Sequence, residues 1–173
     1  MKIDVAALLS GAEKTLPFEA EERIESALLS EITLDSPVRV RGTITNRAGY
    51  MRLQAEVDFS YTTECARCLA PIRREVTLSF EKGVADEKTL RNEEQDEFLI
   101  IRNFALDLTD EVTEQMFMVL PYRELCREDC RGLCPRCGRD LNEGDCGCAK
   151  KTVDPRLAVL GKLLDGSEPG GNT

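Results

Sequence analysis

VRVRGTITNRAGYMRLQAEVDFSYTTECARCLAPIRREVTLSF, residues 38–80, reads as three strands and the loops that join them. In its first part Val38, Val40 and Ile44 alternate with Arg39, Arg41, Thr43 and Thr45. From Met51 to Tyr61, Met51, Leu53, Ala55, Val57, Phe59 and Tyr61 alternate with Arg52, Gln54, Glu56, Asp58 and Ser60. From Ile72 to Phe80, Val76, Leu78 and Phe80 alternate with Glu75, Thr77 and Ser79. A period of two over such lengths means strands with one face buried and one wet. Asn46-Arg47-Ala48-Gly49 supplies turn residues, including a glycine able to take positive φ, so the first two strands form a hairpin. The second and third are joined by Glu64-Cys65-Ala66-Arg67-Cys68-Leu69-Ala70-Pro71, which puts a Cys-x-x-Cys pair at a hairpin tip. From there the pair can reach another part of the chain for two further ligands.

Outward from this core the pattern changes. Residues 83–97 are polar and acidic without a period and are expected to form a loop, and Phe98-Leu99-Ile100-Ile101 resumes as a strand. Thr109 is the expected N-cap of a helix running to about Leu120, with Asp110 and Glu111 complementing its N-terminus. Val112, Met116 and Val119 are expected to face inward, and Pro121 ends the helix. Asp154-Pro155 opens a second, short helix with Leu157, Leu160 and Leu164 as its apolar stripe. In the first 36 residues, Lys2 to Ser10 fits strand or helix, and Thr15 to Ala20 fits a strand. The class is therefore α+β: an antiparallel sheet or partly open barrel, one or two packed helices and a Cys-rich C-terminal region. The expected divisions are a β-rich core over 1–120, a knuckle region with its helix packed on the core over 121–164, and a disordered tail over 165–173.

The remaining six cysteines, Cys126, Cys130, Cys134, Cys137, Cys146 and Cys148, lie in a segment rich in glycine and charge. It has too few apolar residues to fold by burial. With Cys65 and Cys68 they make eight cysteines in a chain with no histidine, two sets of the four ligands that a closed zinc site takes. Cys134-Pro-Arg-Cys137-Gly138 is a zinc-knuckle pattern, the glycine relieving crowding after the tight turn, and Cys146-Gly-Cys148 is its second half. One ion is assigned to Cys134, Cys137, Cys146 and Cys148, and the four ligands left, Cys65, Cys68, Cys126 and Cys130, form the other site. Disulfides do not suit the reducing compartment expected for this chain, and a thioredoxin-like role for Cys65 and Cys68 lacks its βαβ context. All-cysteine ligation also suits an iron–sulfur cluster, with the paired knuckles favouring zinc. Structural zinc is worth roughly 10–16 kcal/mol, comparable to the about 5–15 kcal/mol of a whole domain, so residues 126–148 are expected to be ordered only with metal.

Composition narrows the function. With 42% hydrophobic residues over 173, the chain can build a core. No stretch approaches the ~18 apolar residues of a membrane span, and the first residues lack the regions of a secretory signal, so a cytoplasmic location is expected. Net charge is −9, and eight thiolates with two divalent ions carry it to about −13. Such a field suits a basic protein partner better than nucleic acid. The excess acid lies outside residues 121–156, where eight Lys and Arg face seven Asp and Glu, so a local basic face is compatible with the acidic whole. Catalysis has little to work with: no histidine, no Gly-x-Ser-x-Gly, no P-loop, and closed four-cysteine sites leave no position for an activated water.

Cys65-Ala-Arg-Cys68-Leu-Ala-Pro71, DLTDEVTEQMFMVLP ending at Pro121, CREDCRGLCPRCGRDLNEGDCGC and DPRLAVLGKLL, in this order across nearly the whole chain, resemble the YceD family of bacteria and plastids. The resemblance implies a non-catalytic role in accumulation or processing of large-subunit (23S) ribosomal RNA and in ribosome assembly. The expected partners are precursor RNA, a basic large-subunit ribosomal protein, or both, with no membrane and no small-molecule substrate. Arg67, Arg73 and Arg74 near the first knuckle and Arg131, Arg136 and Arg139 near the second are the candidates for phosphate contact. Two other classes compete. One is a zinc-dependent protein-interaction or regulatory module that does not touch RNA. The other is a nuclease, which needs carboxylates holding a hard metal.

Overall fold

The computed structural model describes residues 1–25, 27–87 and 98–148. The chain divides into two compact units, Met1–Cys130 and a second beginning at Arg131, and each is described by itself. The expected helix at 154–164, the tail at 165–173 and most of the expected loop (88–97) lie outside the described residues.

The first unit is mostly β. Its strands are β1 (Lys2–Asp4), β2 (Thr15–Glu22), β3 (Thr33–Leu34), β4 (Val38–Arg47), β5 (Tyr50–Glu64), β6 (Pro71–Asp86), β7 (Phe98–Arg102) and β8 (Ala105–Asp107). Two helices, α1 (Ala6–Leu9) and α2 (Thr109–Val119), accompany them, with a 3-10 turn at Ala27–Leu29. The strands make one sheet in the order β1-β8-β7-β6-β5-β4-β2, with β3 paired to β5 off this path. At its two ends, the amine of Met1 beside β1 pairs with Glu22, the last residue of β2, which draws the sheet into a nearly closed, barrel-like form. No helix of the described residues is long and apolar enough to cross a membrane.

The alternation over residues 38–80 has its expected consequence. Val38, Val40, Ile44, Met51, Leu53, Ala55, Val57, Phe59, Tyr61, Ile72 and Leu78 are all buried. Arg47 pairs with Tyr50, and the two residues between them, Ala48 and Gly49, both have positive φ, the two-residue turn whose twist matches the strands it joins. Gly42 is required by close approach, because a Cβ there would lie 2.3 Å from the Gln54 carbonyl oxygen.

Three expectations are corrected. Residues 83–86 belong to β6 rather than to a loop, because β7 runs parallel beside them and pairs Gly83 with Phe98 through Asp86 with Ile101. Thr109 is the first helical residue, and the carboxylate of Asp107 accepts from its amide at 3.0 Å and its hydroxyl at 2.8 Å, so Asp107 does the work expected of the threonine. Val112 and Met116 are fully buried, but Val119 is 48% exposed, and the next residue, Leu120, packs against the core in its place. In the first residues both readings hold in turn: Lys2–Asp4 is strand and Ala6–Leu9 a single helical turn. Thr15 begins a strand that runs two residues beyond Ala20.

Candidate metal centres

β5 and β6 pair to their ends, Glu64 with Pro71, and leave a six-residue loop. Inside it the amide of Cys65 donates to the Ala70 carbonyl and the amide of Leu69 to the Cys65 carbonyl, both at 2.9 Å. Leu69 takes a positive φ of 62° to close the turn. This fixes Cys65 and Cys68 side by side at the hairpin tip.

Their partners arrive on the segment after α2. Glu124 holds that segment in three ways. Its carbonyl accepts from the Ala66 amide at 2.9 Å, its carboxylate accepts from the Tyr61 hydroxyl at 2.7 Å, and Arg74 pairs with it at 3.5 Å. Arg74 also donates to the Leu125 carbonyl at 3.2 Å. Cys126 and Cys130 are thereby brought to Cys65 and Cys68, and the four Sγ atoms lie within 4.8 Å of one another.

The geometry fits a metal ion. Sulfurs about 2.3 Å from a tetrahedral zinc stand about 3.8 Å apart along each edge. Cys65 and Cys130 are 3.8 Å apart, and Cys68 and Cys126 are 3.7 Å apart. None of the eight cysteines is in a disulfide. Burial by itself raises the Cys65 thiol, but the amides of Cys126, Arg67 and Cys68 directed at its sulfur outweigh this and bring it down to about 6. Burial and the neighbouring sulfurs of Cys130, Cys68 and Cys65 push Cys126 up to about 12. Cys65 forms a thiolate easily while Cys68 and Cys126 resist, as expected where negative charges crowd without a cation.

The second unit repeats the device. The amide of Cys134 donates to the Arg139 carbonyl at 2.8 Å and the amide of Gly138 to the Cys134 carbonyl at 2.9 Å, with Gly138 at a φ of 72°. Leu133 and Asp140 pair across the base of this turn. The sulfurs of Cys134, Cys137, Cys146 and Cys148 again lie within 4.8 Å of one another. The amides of Cys137 and Arg136, with the Cys146 thiol, lower Cys134 to about 6, while the Cys137 and Cys146 thiols and burial raise Cys148 to about 12. Three cysteines of the first set are buried and only Cys126 is exposed; in this second set only Cys134 is buried. Both sets can hold a metal ion, and both are the groupings drawn from the sequence.

The six candidate arginines separate. Arg67 donates to the Cys130 carbonyl at 2.7 Å, Arg73 pairs with Asp35 at 3.1 Å, Arg74 serves Glu124 and Leu125, and Arg131 pairs with Asp145 at 2.5 Å. Arg136 and Arg139 are exposed and enter no ion pair among the described residues. Sequence reasoning missed Tyr61 and Glu124 as supports of the first site. Tyr61 offered a signal, because a tyrosine at an inward strand position must find a partner for its hydroxyl.

Against known proteins, the model of the family described as Large ribosomal RNA subunit accumulation protein YceD matches residues 53–164, which include all eight cysteines. The chain belongs to the YceD family. A Bacillus subtilis relative of this YceD-family chain is 31% identical over 159 residues, 85% of this chain and 88% of its own length. A Mycobacterium tuberculosis protein is 36% identical over 103 residues, 58% of this chain and 49% of its own, so the chain spans about half the length of the mycobacterial relatives it matches. An Arabidopsis thaliana protein named as a chloroplastic YCED homolog of the large ribosomal RNA subunit accumulation protein is 26% identical over 60 residues, 35% of this chain and 19% of its own. No solved structure matches the chain.

Proposed function

We propose that this YceD-family chain is a non-catalytic factor in the accumulation and processing of large-subunit (23S) ribosomal RNA and in assembly of that subunit. It works in the cytoplasm by contact with precursor RNA, a basic large-subunit ribosomal protein, or both. The observation that carries this reading is the family match over residues 53–164, with its description as a large ribosomal RNA subunit accumulation protein. The two four-cysteine sets support the non-catalytic part: an ion held by all four sulfurs of a set would have no free position for a reacting water. In this reading both ions are zinc and structural, one held by Cys65, Cys68, Cys126 and Cys130, the other by Cys134, Cys137, Cys146 and Cys148. Of the arginines proposed for phosphate contact, Arg136 and Arg139 are the two whose guanidinium enters neither an ion pair nor a hydrogen bond among the described residues, so they lead the list.

Depletion of the protein, followed by measurement of 23S ribosomal RNA and of ribosomal particles, tests the function. A fall in large-subunit RNA with an abnormal particle profile is expected; an unchanged profile overturns the reading. Direct RNA contact predicts binding of precursor RNA whose log K falls with log salt. A zinc-dependent interaction module without RNA contact is the second reading, favoured by the apolar surface at the end of α2, and no RNA binding at low salt by the metallated protein would select it.

A further inference from the structure

Among the described residues, seven large hydrophobic side chains are exposed, and four of them fall within six consecutive positions: Phe117 (51%), Met118 (65%), Val119 (48%) and Tyr122 (90%). Apolar side chains exposed singly are ordinary, whereas neighbouring ones on one helix face mark a contact surface. Phe117 and Met118 are such a pair, while Val119 turns to the side of Val112 and Met116 and Tyr122 lies past the end of the helix. The helical period makes the surface specific. Asp110, Glu114, Phe117 and Met118 recur at i, i+4, i+7 and i+8, so they share one face of α2, opposite the buried Val112 and Met116.

Charge identifies what this face accepts. On the outer side of the sheet several carboxylates have arginine partners, Glu21 with Arg39, Glu56 with Arg41 and Glu81 with Arg52. On α2, Glu111 is buried and paired with Lys82 at 2.7 Å. Asp110 and Glu114 are exposed and have no ion-pair partner among the described residues, and α2 contains no lysine or arginine. Lys2, Lys82 and Arg102 line a hollow with Asp107, Asp110, Glu111 and Glu114. Lys82 is paired with Glu111 and Arg102 with Glu87, however, so Asp110 and Glu114 leave this side net acidic and unsuited to phosphate. A second copy of α2 has no basic residue to meet the acids.

We propose that the outward face of α2 docks a cationic amphipathic segment of a protein partner. The apolar side of that segment covers Phe117 and Met118, and its lysines or arginines approach Asp110 and Glu114. The inference rests on the proposed function in that it places the basic-protein contact on a named surface. It leaves RNA contact to other residues.

The test is fluorescence anisotropy of the full, zinc-loaded chain with a labelled amphipathic Leu/Lys helical peptide. Controls of equal length replace Leu by Ser, or Lys by Glu. The Leu/Lys peptide is expected to bind, and replacing its Leu by Ser, or Phe117→Asp or Met118→Asp in the protein, is expected to weaken binding by about tenfold or more. Charge reversal by Asp110→Lys with Glu114→Lys should weaken the Leu/Lys peptide and strengthen the Leu/Glu peptide, a gain that unfolding cannot produce. Equal binding by all variants overturns the proposal. So does a concentration-dependent dimer abolished by Phe117→Asp, or binding of zwitterionic lipid vesicles lost in the same variant. A chain carrying Phe117→Asp that loses the peptide yet restores a normal particle profile in depleted cells overturns the face as the ribosomal contact while the assembly role stands. Depletion without effect on particles removes the assembly role and leaves the peptide measurement intact.

Discussion

Arg67 donates from its guanidinium to the main-chain carbonyl of Cys130 at 2.7 Å, so the third residue of the hairpin knuckle ties down the last cysteine of the set it completes. The corresponding residue of the second knuckle, Arg136, stands exposed. Two arginines in the same local motif, Cys-x-Arg-Cys, are therefore in different physical positions: both are exposed, but one is held by a main-chain carbonyl of the site and the other is free to meet another molecule.

Arg67→Ala is expected to loosen the first site and leave the second alone. Groups that orient metal ligands typically contribute about 10–100-fold in metal affinity. Zinc release to a chromogenic chelator should become faster for one of two ions, whereas Arg136→Ala should leave both release rates unchanged and weaken binding of precursor RNA. Normal zinc retention with weakened RNA binding in Arg67→Ala would instead make Arg67 a contact residue.

Tyr61 donates to the Glu124 carboxylate at 2.7 Å from a buried position. Burial first, and then the bond and charge of Glu124, push the Tyr61 hydroxyl up to about 12. Because the folded-state value is raised, the folded chain holds this proton more tightly than the unfolded one. The contribution is complete below the unfolded value near 10 and is lost as pH rises from there through about 12. Tyr61→Phe should lower stability by about 1 kcal/mol at neutral pH. In urea unfolding at rising alkaline pH, the gap between wild type and variant should close; a constant gap would refute this assignment.

Metal uptake should release protons. With Cys126 and Cys148 near 12 and Cys68 also raised, these thiols hold their protons at neutral pH and must give them up on ligation. Zinc affinity is therefore expected to rise with pH, and calorimetry in buffers of different ionisation enthalpy should show net proton release. The more exposed second set should lose its ion to a chelator first, and Cys137→Ser should disturb residues 131–148 while sparing the sheet.

Leu69 and Gly138 occupy equivalent turn positions at φ of 62° and 72°. A left-handed conformation costs a side-chain-bearing residue about 1–2 kcal/mol, partly offset for glycine by its larger loss of backbone freedom on folding. Leu69→Gly should thus stabilise the zinc-loaded chain slightly, by about 0.5 kcal/mol, and Gly138→Leu should destabilise it by about 1 kcal/mol or more. Thermal unfolding with zinc present gives both signs, and a loss in Leu69→Gly would mean that the exposed leucine packs on something.

The strands over residues 38–80 were legible because their inward side is chosen residue by residue: a period of two puts Val40, Leu53, Val57 and Tyr61 on one face whatever the rest of the chain does. Cysteine count and spacing were legible for a similar reason, since four soft ligands at knuckle spacing have few other uses in a reducing compartment. Long-range relationships were not. That residues 83–86 pair with a later strand, that Asp107 rather than Thr109 accepts at the start of α2, and that Leu120 rather than Val119 packs on the core all depend on where distant segments come to rest. The same holds for the arginines. As letters Arg67 and Arg136 are alike, and only folding brings the Cys130 carbonyl to the first, because a hydrogen bond across 63 positions is settled by the packed chain rather than by local pattern.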